Sequence, residues 1–222
     1  MTALSLLQLV SPALPVGAFS YSEGLEVLIQ AGDIREEAQL QAWLEAELNQ
    51  GMLRLEGAAL PLLAADLSAW RAGESAARQR LLDLDGWLLA TREAAEVRAQ
   101  QRQMGQSLLQ LLNDMGHPLP ESIRLSWPAA WAAAARQLRV SDLDMVEGYF
   151  YGWVANQLSA AVRLLPLGPS RAQVLQQRLL PLIGEQAQCV QGCDPRELWT
   201  GGVGAGLAQL AHAELYSRLF RS

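Results

Sequence analysis

The sequence predicts an all-α fold. Three observations lead there. Apolar residues recur at helical spacing along nearly the whole chain, and strong helix formers fill the intervals between Gly- and Pro-rich breaks. No segment alternates apolar and polar residues with β-branched enrichment. Hydrophobic residues make up 50% and charged residues 18% of 222, which is enough to bury a sizeable core. No linker or internal repeat divides the chain. The expectation is therefore one domain over 1–222, a single irregular bundle of roughly eight to ten helices.

The opening stretch SPALPVGAFSYSEG (11–24) is too broken for a helix and too apolar for a solvated linker. Pro12 and Pro15 stiffen the approach and Gly17 allows a turn. Ser20-Tyr21-Ser22-Glu23 fits a capping box, with Ser20 as N-cap and Glu23 reaching back. That arrangement would hold Phe19 and Tyr21 at a helix N-terminus, either as a partner surface or as a plug for the bundle.

Leu25, Leu28 and Ile29 then start a helix that Gly32 can close in a left-handed cap. Leu40, Trp43, Leu44 and Leu48 share the face of the next. A third runs from about 55 to 72 with Pro61 near its first turns, and Gly73 ends it. The stretch 75–114 reads as two helices, with a bend expected near Gly86. After the turn-rich MGHPLPESIRLSWP and the short WAAAARQL, Ser141 opens a long helix through Arg163, with Asp144 completing its cap. Pro166 and Pro169 interrupt it. A helix over about 171–191, bent at Pro181, follows, and the last is expected to start near Asp194 with Pro195 at its first position.

Composition excludes several kinds of chemistry. All 17 basic residues are arginine, so neither a P-loop lysine nor a Schiff base is available. The net charge of -6 disfavours nucleic acid. Two histidines, His117 and His212, cannot make a three-histidine or HExxH metal site, and a structural role is the simpler reading of His212. Cys189 and Cys193 in CVQGC read as ordinary thiols rather than ligands. GGVGAG (201–206) lacks dinucleotide spacing, and its small residues, Gly202 and Gly206 one turn apart, suit close helix packing. Asp83, Asp85, Glu93 and Glu96 read as a solvated face. No catalytic, cofactor-binding or metal-binding residue is predicted. The N-terminus has no basic leader and no apolar run reaches the length of a membrane span, so a cytoplasmic protein is expected.

The end, AELYSRLFRS, puts Tyr216, Leu219 and Phe220 on one helical stripe with Arg218 and Arg221 interleaved. Aromatic residues with arginine favour a binding surface, but the stripe could equally pack on its own bundle.

Four blocks in order carry a family resemblance: SPALPVGAFSYSEGLE, EVRAQQRQMGQSLL (96–109), NQLSAAVRLLPLG (156–168) and HAELYSRLFRS. Together they resemble the UreF-type urease accessory proteins. Gln101, Pro169-Ser170 and Ala213 depart from the usual pattern. The resemblance implies an all-helical, dimeric, non-enzymatic scaffold that joins the accessory protein UreD (or UreH) and the GTPase UreG. That assembly would support GTP-dependent nickel insertion into apo-urease. No cofactor would stay bound to this chain, because the partners carry the GTP and the complex handles the nickel. The resemblance puts Pro15, Gly17, Phe19, Ser20, Tyr21, Glu26 and Arg163 on a GTPase-facing surface, with Arg163 a candidate for an arginine supplied in trans. It puts Tyr216, Ser217, Arg218, Leu219 and Phe220 in a tail facing UreD/UreH. The alternatives are a helical oligomer unrelated to urease, or a small helical hydrolase using Ser20 or a carboxylate pair.

Overall fold

A computed structural model describes residues 2–222. Its regular structure is ten α-helices and two short 3₁₀ helices, with no strand among the described residues, so the all-α expectation holds. In chain order the helices are α1 (Thr2–Leu9), α2 (Leu25–Ala31), α3 (Glu37–Gln50), α4 (Leu53–Arg71) and α5 (Ser75–Ala90). They continue with α6 (Ala95–Asp114), α7 (Trp127–Gln137), α8 (Asp142–Leu164), α9 (Pro169–Val190) and α10 (Val203–Ala211). The 3₁₀ turns are Ala18–Ser20 and His212–Glu214.

α4 is the hub and packs against α3, α5, α7, α8 and α9. Its neighbour α7 is buried from Pro128 to Ala135. Six of those eight residues are alanine, so a whole helix fits between α4 and α6 without displacing either. α8 carries the bulky counterpart, with Tyr149 and Phe150 buried, and α9 lies along its outer side.

Several local signals act as read. Gly32 closes α2 in a left-handed conformation (φ 81°). Ser141 caps α8, its Oγ accepting from Asp144 N at 3.2 Å and donating to Asp144 Oδ2 at 2.7 Å.

Other readings need correcting. The break in 75–114 falls at Thr91–Ala94, not at Gly86; Gly86 is exposed, and α5 runs straight through it. The last helix starts at Val203 rather than near Asp194. Asp194 Oδ1 accepts from Arg196 N at 2.9 Å and closes only a local turn, while Gly201 N is tied to Gln50 O at 2.8 Å. Asp85 and Glu96 do not belong to a solvated face. Asp85 is 2% exposed and accepts from both the backbone and the hydroxyl of Ser126, just before α7, and Glu96 binds His212. No helix among the described residues is long and apolar enough to cross a membrane.

A candidate partner-binding surface where the two ends of the chain meet

The opening stretch and the tail, read as two separate surfaces, form one. The Ser222 main-chain oxygen accepts from Ser22 N at 2.7 Å, Glu23 N at 3.1 Å and Ser22 Oγ at 2.7 Å. Arg221 N donates to Ser20 O at 2.9 Å. The loop can offer adjacent amides to one oxygen because its backbone reverses sharply. Gly17 (φ 75°), Glu23 (φ 51°) and Gly24 (φ 93°) are all left-handed, and Glu23 pays the strain of a side chain there. Gly24 is also where α10 comes close, since a Cβ at that position would stand 3.1 Å from the Ala208 Cβ.

This geometry replaces the predicted capping box. Ser20 ends a 3₁₀ turn instead of capping a helix, and α2 begins after Gly24. The Glu23 carboxylate turns inward and accepts from Gln100 Nε2 at 2.5 Å and Trp153 Nε1 at 3.0 Å.

The tail is not the helix that its stripe suggested. Beyond Glu214 the chain becomes irregular because Glu26 draws its amides away: Leu219 N donates to Glu26 Oε1 at 2.7 Å and Phe220 N to Oε2 at 3.1 Å. His212, fully buried, stands between two carboxylates, with Nδ1 2.8 Å from Glu96 Oε2 and Nε2 3.4 Å from Glu26 Oε2. Arg218 donates to the other oxygen of Glu96 at 2.8 Å. Arg163 spans both segments, its guanidinium 4.2 Å from the Phe220 ring centre and its Nη2 donating to Phe19 O at 2.5 Å.

Each aromatic set therefore divides. Tyr21 and Phe220 are core residues at 6% and 4% exposure, whereas Phe19 at 65%, Leu219 at 57% and Tyr216, fully exposed, face outward. Pro15, Ser217 and Arg218 are also exposed, Gly17 and Ser20 half-buried, and Glu26 buried. Val203, Leu207 and Leu210 of α10 are exposed as well.

Beneath the loop lies a buried polar network that the sequence did not reveal. Arg92 pairs with Glu56 Oε1, and Tyr149 OH donates to Glu56 Oε2 at 2.8 Å. Burial and the adjacent Glu56 carboxylate push the Tyr149 hydroxyl well above its ordinary pKa. Burial likewise raises the Asp85 carboxyl, against the pull of its Ser126 hydrogen bonds. These partners lie tens of residues apart and no local pattern links them; the only sequence signal was charge on otherwise apolar helix faces. Cys189 and Cys193 are free thiols, with Cys193 Sγ 3.3 Å from Cys189 O. No group of three or more His, Cys, Asp or Glu is placed to hold a metal among the described residues.

Comparison with known proteins agrees with the four-block resemblance. The UreF family model matches residues 34–180. The chain is 41% identical over 224 residues to a urease accessory protein UreF of Microcystis aeruginosa, covering 99% of this chain and 97% of the relative. It is 38% identical over 228 residues to that of Ralstonia pickettii, covering 98% and 96%. It is 37% identical over 218 residues to that of Prochlorococcus marinus subsp. pastoris, covering 96% of each. With the family model matching residues 34–180 and these relatives aligned over nearly the whole chain, the protein belongs to the UreF family of urease accessory proteins.

Proposed function

We propose that this protein is a non-enzymatic scaffold for urease maturation. It dimerises, joins a UreD/UreH-type accessory protein and a UreG-type GTPase, and supports GTP-dependent nickel insertion into apo-urease, with no cofactor held on the chain itself. The observation that carries this reading is the merged surface. Tyr216, Leu219 and Phe19 stand exposed on a segment pinned by Glu26, His212 and Arg163. Exposed apolar side chains on an immobilised backbone lose little entropy when covered, which suits a protein contact. Arg163 is committed to the Phe19 carbonyl and the Phe220 ring, so it supports this surface better as a clamp than as an arginine donated to a GTPase.

The test is co-elution with a UreD/UreH-type partner on size exclusion with light scattering. Truncation at Glu214 would remove the buried Phe220 and Ser222 and confound folding with binding. The double substitution Tyr216→Ala with Leu219→Asp touches only exposed side chains. It is expected to abolish co-elution while the circular dichroism spectrum stays unchanged. Retained co-elution would remove the tail from the interface.

A further inference from the structure

A cavity of about 370 Å³ opens between the 9–19 segment, α8 and α9 and reaches inward to α4, α6 and α7. Its walls mix aliphatic and amide side chains with aromatic ones, Trp127, Trp131, Tyr151 and Trp153 among them. At its base lie two buried carboxylates, Glu23 and Glu56, and no arginine or histidine lines it. Glu56 is neutralised by Arg92. Glu23 shares that arginine only through space: it is 8% exposed, both donors to its carboxylate are neutral, and it makes no direct ion pair among the described residues. Two buried carboxylates thus share one guanidinium, an incomplete balance that is costly, and Glu23 is also held in a left-handed backbone conformation. Independently, Gln101 lines the same cavity at 3% exposure with no donor for its Oε1, and Gln176, at 5%, has no acceptor for its Nε2.

We infer that this cavity is a binding site for an organic cation, a guanidinium or ammonium group on a slender apolar stem. The Glu23 carboxylate supplies the counter-charge, Gln101 Oε1 accepts from a further N–H, and the aromatic faces attract the cation through their quadrupoles. A metal ion fits less well. Its ligands would have to converge, and no group of three does so among the described residues. Two sources share this chemistry, a free alkyl cation and an arginine or lysine side chain of another protein. Gln176 Nε2 suits a ligand that carries a carbonyl beside the cation, as an arginine within a chain does. The inference is independent of the role in urease maturation.

The test is isothermal titration calorimetry of the full chain with benzamidine and with benzamide, its neutral isostere. Benzamidine is expected to bind at least about tenfold more tightly, the size of preference that a desolvated carboxylate and aromatic faces together give. Glu23→Gln keeps the side chain's shape and is expected to erase that preference. Ala155→Phe, at the half-buried mouth, is expected to block both compounds without altering any charge. Both variants are first matched to the parent in thermal unfolding. Agmatine and N-acetyl-arginine amide form the second arm: tighter binding of the first identifies a free cation, tighter binding of the second a side chain. The inference is overturned by equal binding of benzamidine and benzamide, by a preference that survives Glu23→Gln, by benzamidine binding that survives Ala155→Phe, or by no binding at all.

Discussion

Glu47 sits half-buried on α3, and burial pushes its carboxyl from the ordinary 4.5 up to about 7, with Arg92 opposing and Glu23 adding to the rise. Between those values the folded chain holds a proton that the unfolded chain has released. Stability must therefore fall as pH climbs through that window, and the loss is complete above about 7. Glu47→Gln removes the titration. The variant is expected to match the parent near pH 4 and to exceed it by about 1–3 kcal/mol at pH 8, read from urea midpoints at the two values. A difference that does not change with pH would place Glu47 in water. Nothing in the sequence marks this residue, because its environment is made by groups far along the chain. Gly32 and Ser141 were legible for the opposite reason: their partners are their own neighbours.

At the scale of elements, amphipathic periodicity located most helices but not α1, and the last helix was misplaced where a distant contact overrode a local signal. The Asp194-Pro195 pair is a good helix start in isolation, yet the chain is pulled away to Gln50. The loop entering α7 sits so close to α6 that a Cβ at Gly105 would overlap the Leu125 oxygen and Ser126. Gly105→Ala improves helix propensity by up to about 1 kcal/mol. It should nonetheless destabilise the protein by about 2–4 kcal/mol, because backbone has to move to make room. Chemical denaturation measures this, and a neutral or stabilising outcome would show that the α6–α7 contact has slack.

For the whole molecule, the decisive feature is the closure of the tail onto the opening loop across about two hundred residues of chain. Arg163 ties the two by a carbonyl hydrogen bond and a ring contact. Arg163→Ala is expected to leave the helical content intact and to loosen the tail by about 1 kcal/mol. In hydrogen exchange, that is about fivefold less protection for the Leu219 and Phe220 amides. Unchanged protection would assign the latch to the Glu26, His212 and main-chain contacts of the tail without Arg163.

By itself the sequence determined the fold class, most helix positions, the absence of lysine chemistry and the family, because composition, periodicity and ordered motifs are properties of the chain read locally. Only the tertiary structure decided that the two motif segments form one surface. It also decided that Tyr21 and Phe220 face in while Phe19 and Tyr216 face out, and that Glu23 points into an aromatic cavity. Each of these depends on which distant backbone or side chain arrives opposite a residue, and helical spacing carries no record of that.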